Sequence, residues 1–218
     1  AQDLVDFSNG INDGSISHSA NARQTADIDM SGVTWKPIGD ASGGFYNGTY
    51  DGGYYTISNL TYSGSDKYCG GLVKILSMSG TVENVTMVNV NLTGTASSSS
   101  CYAGAIAGES RGTIRRCRVN SGTITSSASG TSSIVGGIVG VSYGTVENCY
   151  NAAVIANNYS GTEAANYAGG IAGETLAGTV RNCYNAGAVR ESSTSDIGGI
   201  VGYQSKISTL YNTLYSTV

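Results

Sequence analysis

Among its 218 residues the chain has one proline, one histidine, one tryptophan and two phenylalanines, and only 12% of it is charged. Each scarcity removes a class of answers. With His18 as the sole imidazole, neither a His-dependent triad nor a two-histidine metalloprotease motif can be assembled. The five cysteines (Cys69, Cys101, Cys117, Cys149 and Cys183) include no C-x-x-C pair, so no metal site of the usual Cys/His kind and no cofactor is expected. An odd count also suits a disulfide framework poorly. No apolar run approaches the roughly 20 residues of a membrane helix, so no membrane insertion is expected. The formal net charge of −4 opposes nucleic acid or an anionic membrane as the main partner. One proline beside 32 glycines separates the chain from collagen and from proline-rich linkers. The opening AQDLVDF suits a mature end left by cleavage behind a small residue, and an arbitrary boundary reads the same.

What is present is repetition. Five glycine phrases align: CGGLVK (69–74), AGAIAG (103–108), VGGIVG (135–140), AGGIAG (168–173) and IGGIVG (197–202). Their central residues Leu72, Ile106, Ile138, Ile171 and Ile200 step by 34, 32, 33 and 29. A second phrase follows each: TVENV (81–85), TIRRC (113–117), TVENC (145–149), TVRNC (179–183) and a degraded ISTL (207–210). Such a period denotes a solenoid, propeller or array. The phrases are short, β-branched and glycine-bearing, which excludes helices, and Ser/Gly/Thr-rich loops of varying length separate them. Short parallel strands stacked at about 4.8 Å fit best, giving an all-β, parallel β-helix (β-solenoid).

Columns of equivalent residues then assign roles. Cys117, Cys149 and Cys183 share a position with Val85 and, in this alignment, Leu210, which marks a core site where cysteine serves as a small hydrophobe. Cys69 aligns with Ala103, Val135, Ala168 and Ile197 and reads the same way, while Cys101 stands at the edge of a variable loop. Glu83, Arg115, Glu147 and Arg181 alternate in sign before Ser208, so stacked neighbours pair. Asn84, Asn148 and Asn182, interrupted by Arg116 and Thr209, read as a turn ladder. Tyr68, Tyr102 and Tyr167 align just before the glycine phrase, broken by Ile134 and Asp196, and Tyr150, Tyr184 and Tyr211 align just after the cysteines. Outward tyrosines offer an apolar ring with a polar tip, suited to stacking on sugars or to covering a neighbouring strand. Tyr68, Tyr102 and Tyr167 are therefore the candidate ligand-binding residues.

Residues 1–66 stand outside this frame. Leu4, Phe7 and Ile11 at i, i+3 and i+7 predict a short helix that covers the first open coil. Ile28 and Met30 alternate with Asp27 and Asp29 as in a strand, and residues 44–62 predict a strand pair around Gly52 and Gly53. The chain reads as one domain, 1–66 forming the cap and first coils and 67–218 the repeat coils. Asp27, Asp29 and Asp51, beside Lys36, are the only carboxylates that suggest a glycosidase or a calcium site, and turn or edge roles account for them better.

The phrases GGIVGVSYGTVENCYN and GGIAGETLAGTVRNCYN resemble the GLUG repeats of bacterial surface proteins, found in adhesin-like proteins and beside immunoglobulin A1 peptidase domains. Residues 25–62 resemble the segment that precedes such repeats. The resemblance implies a right-handed parallel β-helix, here with the short N-terminal capping helix read from its spacing, secreted or held at the bacterial cell surface, and it transfers no catalytic residue. The function expected is a non-catalytic extracellular module whose loops or face bind a host glycan, a host protein or another cell surface. Two alternatives stand beside it. One is a polysaccharide-processing β-helix enzyme. The other is an ice-binding β-solenoid, suggested by the aligned Thr81, Thr113, Thr145 and Thr179.

Overall fold

The computed structural model describes residues 1–40, 44–161, 165–191 and 196–216. After one helix, α1 (Gln2–Asp13), every regular element is a short strand, and every pairing between strands is parallel and to the equivalent strand of the neighbouring coil. Each complete coil crosses five faces. In one coil these are Thr113–Arg115, Arg118–Val119, Gly122–Ser126, Ser132–Gly136 and Val139–Ser142. The first and second faces stack seven strands each and the other three stack five, so the chain makes six turns as a parallel β-helix.

The inner columns form the core. On the first face Val82, Ile114, Val146 and Val180 stack in register and are fully buried. On the fourth, Cys69, Ala103, Val135 and Ala168 do the same. The helix closes one end of this core with Leu4 and Ile11, as its spacing predicts. Phe7 lies edge-on to Tyr46, Ser8 Oγ donates to Lys36 O at 2.6 Å and Asn12 Nδ2 to Pro37 O at 3.0 Å. Among the described residues no strand pairs with the far side of the last coil, where Leu210, Leu214 and Tyr215 are exposed.

Three expectations need correction. The repeat frame reaches further back than residue 67: Thr49–Asp51 pairs in register with Thr81–Glu83, and Ala22–Arg23 pairs with Tyr50 and Asp51. The segments flanking Gly52 and Gly53 do not pair with each other. Thr49–Asp51 lies on the first face and Thr56–Ser58 on the second, and the chain rounds the corner through Gly53 and Tyr54 at positive φ. The final repeat is also shifted by three residues. Thr179, Val180 and Arg181 pair with Thr209, Leu210 and Tyr211. Leu210 therefore continues the valine column, Thr213 takes the cysteine position, Tyr184 is followed by Leu214, and Asn212 (φ 51) continues the asparagine ladder. The turn between the glycine phrase and the first face varies in length: Ile200 to Leu210 spans as many residues as Leu72 to Val82 and one more than Ile171 to Val180.

Two asparagine columns carry different loads. Asn84, Asn148, Asn182 and Asn212 turn the corner at φ 51 to 57, with Arg116 at φ 53 between the first two. The second asparagine of each Asn-Cys-Tyr-Asn tetrad is instead buried: Asn151 Nδ2 donates to Asn185 Oδ1 at 2.8 Å, and each side chain also bonds the backbone two residues on. A Cβ on Gly170 would lie 2.2 Å from Asn185 Cγ, which is why glycine faces this column.

All five cysteines are free and buried. Burial holds the Cys149 thiol well above its ordinary value, as expected of an inert core thiol. Cys101 Sγ donates to Cys69 Sγ at 3.5 Å, but Cys69 is in register with Ala103, two residues away. A rise of about 3.3 Å per residue and a strand spacing of about 4.8 Å put their Cα atoms about 8 Å apart. That exceeds the roughly 7 Å a disulfide can bridge.

Two outcomes follow. Alkylation of air-exposed, denatured protein without reductant should label all five cysteines, and a crosslinked Cys69–Cys101 peptide would contradict the register. Asn151→Ala strips partners from Asn185 and from both backbone groups of Ala153, and should lower unfolding stability by about 2–4 kcal/mol in denaturant titrations. Asn148→Gly, on the exposed ladder, should change it by under about 1 kcal/mol.

Candidate functional site

The outer surface is concave where the fourth face meets the fifth. Its floor is the glycine column Gly108, Gly140, Gly173 and Gly202, in register with Lys74 at the capped end. A Cβ on Gly173 would lie 2.7 Å from Ile134 Cγ2 and 2.8 Å from Val135 N, so only glycine lets the two faces come this close. Outward positions on the two faces stand seven residues apart in each coil: Tyr68 and Ile75, Tyr102 and Glu109, Ile134 and Val141, Tyr167 and Glu174, and Asp196 and Tyr203. Ile134 and Val141 are buried here, apart from the main core.

The three tyrosines predicted from the sequence do form one wall of this groove, each half-buried. Tyr68 and Tyr102 pack edge to face at 5.8 Å, with Lys67 Nζ 5.3 and 4.9 Å from their ring centres. Tyr167 stacks on Tyr203 of the next coil at 4.8 Å.

Two glutamates lie in the opposite wall, and sequence reading missed both. They stand in the same column as Ile75 and Val141, so a carboxylate there looks like a loop residue until the bend is known. Glu109 is 2% exposed and accepts from Arg111 Nε at 2.7 Å. The Arg111 guanidinium lies over Phe45 and Tyr143, at 5.2 and 5.7 Å. Glu174 is 9% exposed, and among the described residues it has no ion pair or hydrogen bond. Burial raises its carboxyl above the ordinary value. Burial, then the Glu174 charge, raises the Tyr167 phenol as well.

The carboxylates that suggested catalysis are occupied otherwise. Asp27 accepts from Thr56 N at 2.7 Å, and Asp29 from Ser31 and Asn59. Asp51 accepts from Gly53 N and Asn84, with Arg23 at 3.5 Å. Asn59 foremost, then Ser31, hold the Asp29 carboxyl below its ordinary value, as Asn84 foremost does for Asp51. These are turn and corner roles. Lys36 lines a separate cleft of about 760 Å³ beneath the helix, with Asp13, Asp40, Asp66, Tyr62 and Lys74. There Lys74 pairs with Asp66 at 2.9 Å and Asp40 at 3.8 Å. The alternating column is real: Arg115 and Arg116 bind Glu83, and Arg181 binds Glu147. The threonine column extends to six, from Thr49 to Thr209, beside that charged column.

No protein-family model matches the chain. It is 32% identical over 93 residues to halomucin of Haloquadratum walsbyi, a match covering 38% of this chain and 1% of that protein. The chain thus spans a very small part of that relative. Among solved structures, it is similar to a protein from Bacteroides ovatus described as "a putative immunoglobulin A1 protease". The TM-score is 0.62 at 19% identity, over 90% of this chain and 77% of the other, a likeness of fold.

Because the folded protein holds the Glu174 proton more tightly than the unfolded chain, this group favours folding at acid pH. That contribution is lost as pH rises from the unfolded value near 4.5 through the raised folded one. Glu174→Gln should therefore melt higher than the native chain at neutral pH and lose that advantage as the pH approaches about 4. Thermal melts across this range check the sign.

Proposed function

We propose that the chain is a non-catalytic, extracellular, adhesin-like β-helix module that binds a host glycan or protein, or another cell surface, through the tyrosine-walled groove. The carrying observation is the column Tyr68, Tyr102 and Tyr167, interrupted by Ile134 and held half-buried on a parallel sheet, with Lys67 over the first two rings and Tyr203 stacked on the third. Such a row is preorganised, so little side-chain entropy is lost when a ligand stacks on it. The GLUG-like phrases support a bacterial surface setting. The partial match to halomucin is consistent with it, and no helix among the described residues is long and apolar enough to cross a membrane.

The enzyme reading keeps one observation in its favour. The cleft beneath the helix gathers Lys36, Lys74 and three aspartates, groups able to serve proton transfer on a polysaccharide. Turnover on acidic or neutral polysaccharides that falls on Lys36→Ala would establish it over the binding role.

Glycan and matrix-protein arrays probed with the folded chain should give a defined set of ligands. Tyr102→Ala should weaken binding by roughly tenfold, as expected for loss of one stacked ring, while circular dichroism stays unchanged. Empty arrays, or ligands indifferent to Tyr68, Tyr102 and Tyr167, would remove the proposal.

A further inference from the structure

The groove contains the same Tyr–Glu pair twice, two coils apart, and the chain treats the two copies differently. In the first, Tyr102 and Glu109 are both served by cations of the chain itself. Lys67 sits over the ring, and Arg111, two residues beyond Glu109, binds the carboxylate while its guanidinium spans Phe45 and Tyr143. In the second, Tyr167 and Glu174 have neither among the described residues. The residue two beyond Glu174 is Leu176, in register with Tyr143 and Arg111. Asp196, in register with Tyr167 on the next coil, forms no ion pair among the described residues either.

We propose that Tyr167, Glu174 and Tyr203 form a docking point for an arginine side chain of a partner protein, the guanidinium binding Glu174 across the tyrosine rings as Arg111 binds Glu109. This rests on reading the groove as a binding face and names what one part of it recognises. Three observations carry it. Glu174 is nine-tenths buried, faces the groove and lacks a partner among the described residues, an arrangement that a cation relieves. The stacked Tyr167–Tyr203 pair offers ring faces, and a planar guanidinium both stacks on rings and forks onto a carboxylate. The first copy shows that such a carboxylate is reachable from outside: Arg111 is 42% exposed in its side chain although Glu109 is 3% exposed. The net charge of −4 favours a basic partner.

The test titrates the whole chain with a capped arginine peptide and with its citrulline counterpart, which keeps shape and loses charge, following the tyrosine resonances. Saturable binding of the arginine peptide is expected, weaker by roughly tenfold or more for citrulline and for Glu174→Gln, as for loss of a charge-assisted hydrogen bond. Leu176→Arg supplies the cation within the chain, so it should raise the melting temperature and abolish peptide binding. Thermal melts of both variants show that the fold persists. Equal binding of citrulline, full binding by Glu174→Gln, or no binding by the native chain would overturn the inference. So would binding of a glucosamine oligomer in place of the peptide, since that assigns the cation to a sugar. An array ligand unaffected by Glu174→Gln overturns this inference alone and leaves the broader reading standing.

Discussion

In-register stacking governs everything else in this molecule. Each residue sits about 4.8 Å from its equivalents in the coils above and below, so a position is tolerable only if its side chain accepts its neighbours in the column. Valine and isoleucine do so trivially. Asparagine is a polar side chain that can repeat in a buried column, because its amide donates upward and accepts from below. Asn151 and Asn185 use that property, closing their remaining groups on the adjacent backbone. Charges cannot repeat, and the first face accordingly alternates them. Where Asp51 and Glu83 do stack, Arg23, Asn84 and Arg116 intervene.

The same constraint explains why the outer groove exists. A coil that bends inward brings two strand backbones together, and a column of glycines makes room for them at every level. Once the bend is present, the outward residues on either side form a second packed layer. Ile134 and Val141 fill it as core residues would, whereas Tyr102 with Glu109 and Tyr167 with Glu174 bring polarity into a site that could have been apolar. Placing a carboxylate there opposes stability unless something compensates for it. The chain compensates once, with Arg111, and leaves Glu174 without a partner among the described residues.

Legibility in the sequence followed the geometry of the columns. The helix, the parallel coils, the buried Cys117, Cys149 and Cys183 and the aligned Tyr68, Tyr102 and Tyr167 could be read because each depends on one column at a time. The final repeat misled because the turn before the first face varies in length from coil to coil and the match at 207–210 is short and degenerate. The buried second asparagine went unseen because amides are read as surface. Its signal was present, since Asn151 and Asn185 appear in the coils where Ala105 gives way to Gly137 and Gly170. The groove was hidden for a different reason: it joins two columns, and their relation depends on a bend that no single column encodes.

That distinction bears on where the sequence of such a fold can vary. Columns of the core and corners are fixed by stacking and can change only together, coil upon coil. The groove positions vary more, although their side chains still meet across coils, as Tyr68 with Tyr102 and Tyr167 with Tyr203. Tyr–Glu, Ile–Val and Tyr–Ile all occupy the same geometry here without disturbing register. Sequence can therefore vary along the groove while the frame stays constant, and this variable surface is the one that carries aromatic rings and buried charge.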